Sequence, residues 1–350
     1  MNARALVAAL AAASMLCGCA RETPPGVTVL TYASQYSPAH PFSRADIEWM
    51  QWVERRSGGR LRIQPYWSGS VLSSEHSMTE IRHGVVDIGL ITPIYARGGA
   101  HLIHVQAAFY AGLTTIPQQV ALYRCMENFD PQFGRELAGL RVLAVQGGNL
   151  PGIVTRNRAV RSLADLRGLR LRAPAELLDV LRRFGADPVE MPMGEVYSAL
   201  AKGVLDGVVA PADTLRSLHF AEVAHYFYAI SVPRGAYAAR AMGLPRWHSL
   251  TDEQRAILEQ SVAVWEDALD RQLRRAQVAG ELAGHDNKVI FATPAQADTR
   301  RFLEVYNEVA ERNARLSARY EIDGLRLFHY ARRVVARTDG GAVRCLGERE

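Results

Sequence analysis

Thr251-Asp-Glu-Gln254 has the form of a capping box, and Leu258, Val262, Trp265, Leu269, Leu273 and Ala276 follow it at spacings of three or four. The box opens a helix by satisfying free backbone N–H groups, and the spacing gives that helix one apolar stripe. Running to about Ala283, the helix would be roughly 50 Å long at about 1.5 Å per residue, longer than one lobe of such a chain is wide. The helix should therefore lie across two lobes. With 350 residues, 48% of them hydrophobic and 22% charged, the chain is long and apolar enough to build both.

The segments before it alternate strand and helix signals. Val27–Ala33 is rich in β-branched residues and reads as a first strand; Ser37–Phe42 is a turn leading into a helix to about Arg56, closed by Ser57-Gly58-Gly59. Arg60–Trp67 predicts a second strand, Ser73–His83 a helix, and Val85–Ile91 a strand apolar enough to be buried on both faces. That order favours a parallel sheet. Leu140–Val145 and Ile153–Arg156 predict strands on either side of Gly147-Gly148-Asn149, a first candidate crossing between lobes. An extended segment from Tyr226 to Met242, interrupted by Pro233 and Gly235, is the candidate return crossing. A late strand over Val289–Ala292 and amphipathic helices over about Ala295–Tyr320 and Gly324–Ala336 complete the pass.

The stretch Leu163–Pro211 is the most informative about chemistry. Leu169 to Arg172 alternates apolar and basic residues as a strand does, and Ala173-Pro174 then stops the strand and suits a helix start. Leu177, Leu178, Val180, Leu181 and Phe184 continue at helical spacing up to Gly185. Arg172 thus sits at a strand end facing a helix N-terminus, where open α/β sheets bind ligands and anions are favoured. Pro188–Glu190 and Gly207–Ala210 predict further strands, with a helix over Glu195–Ala201 between them.

Three linked motifs in this stretch carry a family resemblance: D-L-R-G-L-R-L-R-A-P, F-G-A-D-P-V-E-M-P and G-E-V-Y-S-A-L-A-K-G-V-L-D-G. They resemble the extracytoplasmic solute-binding proteins of TRAP (tripartite ATP-independent periplasmic) transporters, the DctP family. Weaker echoes extend it over nearly the whole chain: S-G-G-R-L-R-I-Q-P-Y, G-S-V-L-S-S-E, H-G-V-V-D-I-G and W-H-S-L-T-D-E-Q. The resemblance implies an α/β, two-lobe periplasmic-binding-protein-like fold with a long helix spanning both lobes. The expected division is a signal peptide over 1–18, a lipid-anchored tether over 19–26, lobe I over 27–147 plus about 237–265, lobe II over 148–236 plus about 266–336, and a tail over 337–350.

By the same resemblance, Arg172 aligns with the arginine that pairs with the carboxylate of a bound organic acid, a role its planar fork suits better than a lysine. A structural ion pair with Glu176 is the alternative. Other family positions depart: Asn149-Leu150-Pro151-Gly152 lacks a second cation, Ala210 replaces an asparagine, and Met193 stands where an aromatic is common. Fewer polar partners imply a monocarboxylate with an apolar or aromatic body. Glu75, Thr92, Tyr95, Trp67 and Asp213 are further candidates for the cleft, and Arg234 and Tyr237, in the return crossing, could replace the missing cation. Glu75 can equally be a solvated acid at a helix start, and Trp67 a packed side chain.

Met1–Cys19 has a basic start, an Ala/Leu-rich core and the ending L-C-G-C, the pattern of an export signal whose apolar run is too short to span a bilayer. The ending resembles a lipobox with Cys19 as the acylated residue; cleavage by the general signal peptidase is the alternative. Cys125 and Cys345 then remain, either paired in an oxidising compartment or free. The expected partners are a small carboxylate, the small and large membrane subunits of a TRAP permease, and the membrane through the lipid anchor, with the protein itself a monomer. A ligand-sensing lipoprotein without a permease is the competing reading.

Of 41 basic residues only Lys202 and Lys288 are lysines, but the arginines are scattered among acids rather than gathered in a stripe, so nucleic acid is not expected. The chain has no G-x-S-x-G, H-E-x-x-H or phosphate loop, and nothing beside His101 and His104 completes a metal shell. Neither an enzyme nor a cofactor or metal is expected.

Overall fold

The computed structural model describes residues 26–338 and 340–347. The export signal, Cys19 and the tether up to residue 25 lie outside the described residues. Thr28–Ala33 (β1) leads into Pro41–Arg56 (α1), followed by Leu61–Tyr66 (β2), Ser77–Arg82 (α2) and Ile88–Leu90 (β3). Helix α1 takes a proline in its first turn, and the His40 ring accepts the Phe42 N–H at 3.2 Å. The strand expected over Val85–Ile91 contracts to Ile88–Leu90, because Val85 is left half exposed in the turn that follows α2. Next come His101–Gln106 (α3), Ile116–Phe129 (α4) and Leu140–Gln146 (β4). Thr115 and Gln118 close a capping box on α4, the same device as at Thr251.

Gly152–Thr155 (β5), Arg170–Arg172 (β6), Leu178–Arg183 (α5), Asp187–Val189 (β7), Val196–Ala201 (α6), Gly207–Ala210 (β8), Thr214–Ser217 (α7) and Tyr226–Tyr228 (β9) follow. The chain then runs through Tyr237–Gly243 (β10), Asp252–Asp286 (α8), Ile290–Ala292 (β11), Gln296–Leu316 (α9) and Gly324–Ala336 (α10).

These strands form two sheets, ordered β2-β1-β3-β10-β4 and β11-β9-β5-β8-β6-β7. In the first, β1 pairs parallel with β2 and β3, while β10 runs antiparallel to β3 and β4. The sheet is therefore mixed rather than parallel throughout: β10 returns from the other lobe and enters pointing the opposite way. Strand β5, arriving from β4, is likewise antiparallel to β8 and β9. The chain passes between sheets after β4, again between β9 and β10, and a third time in α8.

At 35 residues α8 is roughly 50 Å long. Its N-terminal half packs on α1 and β4, and its C-terminal half on α7. Leu258, Trp265, Leu269 and Leu273 are buried, whereas Val262 and Ala276 at the stripe's margin are only partly so. Gly280 permits the closest approach: a Cβ there would lie 2.1 Å from the carbonyl oxygen of Ala212. Trp49 donates its indole N–H to Ser261 Oγ at 2.7 Å and fastens α8 to α1.

Helix α9 packs on α5 of the second lobe, but α10 packs on α3 and α4 of the first. Assigning the whole stretch to about 336 to the second lobe therefore misplaces α10, whose buried Leu327, Phe328, Ala331 and Val334 need the first lobe's apolar surface. The tail beyond it stays on that lobe. Cys345 is disulfide-bonded to Cys125 of α4, and Gln118 donates to the Gly341 carbonyl at 2.9 Å.

Candidate functional site

Strand β6 ends at Arg172 because Pro174 cannot continue it, and the chain turns through a short 3-10 helix, Ala175–Leu177, into α5. The Arg172 side chain is 2% exposed. Its Nε donates to the Met191 carbonyl at 2.9 Å, and its Nη2 donates to the Tyr95 hydroxyl at 2.7 Å, with the guanidinium 5.9 Å from the Tyr95 ring centroid. Tyr95 follows β3, so this bond joins the two lobes across the cleft. No carboxylate lies within ion-pair distance of Arg172 among the described residues. The alternative ion pair with Glu176 is not formed.

Arg172 borders an interlobe cavity of about 90 Å³. One wall carries Thr92, Ile94 and Tyr95 with Tyr36 and Phe42; the facing wall carries Glu176, Leu177, Met193 and Val209. The return crossing closes one side with Arg234 and Tyr237. A second guanidinium thus reaches the cavity from the crossing. Gly148 makes room for it: a Cβ at that position would lie 2.2 Å from Arg234 Cζ, and Arg234 Nη1 donates to the Asn149 carbonyl at 3.3 Å.

The polar groups around this space are tuned by burial. Desolvation pushes the Glu176 carboxyl up to about 7 despite the opposing pull of its own backbone N–H and of Arg172. Burial lifts the Tyr237 phenol to about 12 and the Tyr36 phenol higher still, so both are neutral donors at physiological pH. Tyr237 accepts a hydrogen bond from Gln146 at 2.7 Å, and the Thr92 hydroxyl is committed to the Ser74 carbonyl at 2.5 Å.

Six of the ten expected residues, Arg172, Thr92, Tyr95, Met193, Arg234 and Tyr237, border this one cavity. The other four do not. Glu75 lies in an adjoining groove beside Tyr95 and is paired with Arg97 at 2.9 Å. Asp213 is buried and held by Asn149 at 2.9 Å, bordering a different groove along α8. Trp67 packs edge-on against Tyr32, with ring centroids 5.7 Å apart, and Ala210 is fully buried in β8. Sequence reasoning missed Tyr36 and Phe42; their signal was the apolar turn at the end of β1, a strand end like that of Arg172. His101 stacks on Tyr320 and His104 bonds the Pro93 carbonyl, which accounts for both histidines by packing. No group of three potential metal ligands occurs among the described residues.

A profile of the DctP family, bacterial extracellular solute-binding protein family 7, matches residues 32–315. The chain belongs to this family. DctP-family proteins are solute-binding transport proteins rather than enzymes; those of TRAP transporters are periplasmic, bind small organic acids and work with membrane permeases. A solute-binding protein of Albidiferax ferrireducens is 26% identical over 49% of this chain, a match that spans only 51% of that relative. The monocarboxylate 2-oxoacid-binding periplasmic protein of Nostoc is 22% identical over 77% of this chain and 76% of its own length. Among solved structures, a TRAP solute-binding protein from Rhodoferax ferrireducens with copurified benzoate superposes with a TM-score of 0.80 at 23% identity, covering 89% of this chain and 98% of that one. A marine-metagenome TRAP protein specific for aromatic acids, crystallised with 3-hydroxybenzoate, gives 0.79 at 21% identity over 89% and 99%. These likenesses establish the two-lobe fold. No helix among the described residues is long and apolar enough to cross a membrane.

Proposed function

We propose that this DctP-family protein captures a small monocarboxylate in the interlobe cavity, with Arg172 as its carboxylate clamp, and presents it to a TRAP permease. The observation that carries this reading is the Arg172 guanidinium itself, 2% exposed and without a counter-charge in ion-pair reach. Taking a cation out of water costs several kcal/mol unless an anion and further hydrogen bonds offset it. Two N–H groups are used by the protein, and a ligand carboxylate would supply the charge and take others. Arg234 serves as the second cation, replacing from the return crossing the one absent at Leu150-Pro151.

The ligand's size and body follow from the walls. The cavity of about 90 Å³ is small beside the roughly 300 Å³ or more of drug-sized sites, and its lining is largely aromatic and aliphatic. The Rhodoferax protein holds benzoate, the metagenome protein 3-hydroxybenzoate, and the Nostoc relative binds monocarboxylate 2-oxoacids, all small carboxylic acids. Contacts from both lobes favour the closed state by the difference in affinity between closed and open forms. Acylation of Cys19, outside the described residues, would keep the receptor at the membrane.

Arg172→Ala should weaken binding of benzoate, 3-hydroxybenzoate or a short aliphatic acid at least about a hundredfold by calorimetry, since each lost charge-assisted bond contributes about 1.5–3 kcal/mol. Unchanged affinity would remove Arg172 from the clamp.

A further inference from the structure

Among the described residues Glu176 is the one acidic side chain bordering the cavity. It lies four residues beyond Arg172, on the 3-10 turn that follows β6, so both project from the same wall of the second lobe. Its carboxyl forms no hydrogen bond or ion pair with another side chain among the described residues, although Arg172 and Arg234 border the same space. Among the other polar neighbours, the Thr92 hydroxyl donates to Ser74, while the Tyr237 oxygen accepts from Gln146 and the Tyr95 oxygen from Arg172; the Tyr36 phenol also borders the space. A carboxylate gripped by the arginines would therefore meet largely apolar walls, phenol hydroxyls and one carboxyl that no other side chain engages.

We infer that Glu176 is the selectivity residue of this cavity, and that the ligand is a small monocarboxylate carrying one hydroxyl, which donates to the Glu176 carboxyl. The inference rests on the carboxylate clamp proposed above. A site built to bond a hydroxyl rejects the analogue lacking it, because the buried acceptor is then left without a partner. The opposite cost limits hydroxyls pointed at Ile94, Leu177, Met193 or Val209, which offer no bonding partner. The upward shift of the Glu176 carboxyl to about 7 agrees with a group that lacks a fixed counter-ion.

Calorimetry with two matched pairs, 3-hydroxybenzoate against benzoate and 3-hydroxybutyrate against butyrate, tests it on the full mature chain. The wild type should prefer the hydroxylated member of at least one pair roughly tenfold or more. Glu176→Met, of similar length and apolar, should erase that preference while the unsubstituted acid binds as well or better. Glu176→Gln, whose amide oxygen still accepts, should keep part of it. Equal affinities within each pair, a preference that survives Glu176→Met, or its complete loss in Glu176→Gln would overturn the hydroxyl assignment and leave the carboxylate clamp standing. Failure of all four acids to bind the wild type would overturn the clamp as well.

Discussion

Two arginines in this protein are buried to nearly the same degree and live in opposite circumstances. Arg240, in β10, is 1% exposed and grips Asp46 of α1 bidentately, with Nε to Oδ1 at 2.7 Å and Nη2 to Oδ2 at 3.0 Å. Asp46 also accepts from the Trp265 indole at 2.7 Å and the Tyr32 hydroxyl at 2.6 Å, and the guanidinium lies 4.5 Å from the Trp265 ring centroid. Every charge there is answered from within the chain, by residues of α1, β1, β10 and α8. Arg172 is 2% exposed and has a carbonyl, a hydroxyl and no carboxylate. A buried ion with its partner is scaffold; a buried ion without a carboxylate is what the proposed clamp requires. The two are linked, because Arg240 reaches Gln146 at 3.3 Å and Gln146 reaches the cavity residue Tyr237. The satisfied network stiffens the wall against which the unsatisfied one works.

The sharpest way to break the contrast is to unpair Arg240. Asp46→Ala strands that guanidinium in the core and should lower the unfolding free energy by about 3–5 kcal/mol, measured by urea denaturation. Arg172→Met should do nothing comparable, because it removes a charge that the fold pairs with a carbonyl and a hydroxyl rather than a carboxylate. Equal destabilisation by the two substitutions would mean that Arg172 is structural too.

A smaller effect separates the second cation from the scaffold. Gly148→Ala would place a methyl group where the Arg234 guanidinium lies, and that flexible side chain is what must yield. Affinity for a carboxylate should fall about tenfold, near 1.4 kcal/mol, with stability almost unchanged. A variant that binds normally would show that Arg234 is not part of the clamp.

The asymmetry between the arginines also explains what could be foreseen. Arg172 was legible because a strand pattern, a proline and a helix signal occur together within a few residues, and the motifs there fix its position. Arg240 was not, because its partner lies 194 residues away and Asp46 gives no local sign that it faces the core. The long helix was visible from its cap and stripe, yet α3 and α4 escaped notice although Thr115 and Gln118 form the same kind of cap. The direction of β10 and the packing of α10 depend on how the chain returns between lobes, which no window of sequence encodes. Thr92 and Tyr95, sited by the end of a strand, do border the cavity, whereas Trp67, also at a strand end, and Glu75, Asp213 and Ala210 lie outside it, because which way such a side chain turns is set by packing against distant segments.

The subtlest test concerns the carboxyl that does not complete the Arg172 site. Glu176, raised to about 7 in the folded protein from an ordinary value of about 4.5, holds its proton more tightly folded than unfolded. The folded state therefore gains stability that is fully present below about 4.5 and is lost as pH rises through about 7. His40 works the other way: burial, reinforced by Arg240, holds its ring down to about 3, so its contribution is lost as pH falls through the range below the usual 6.5. Subtracting the melting temperatures of Glu176→Gln from those of the wild type cancels the His40 effect and isolates Glu176. The difference should move against the wild type between about pH 5 and 8. A flat difference would mean that the carboxyl is ionised across the whole range and acts as the missing counter-charge of Arg172, and the two buried arginines would then differ only in how closely their partners approach.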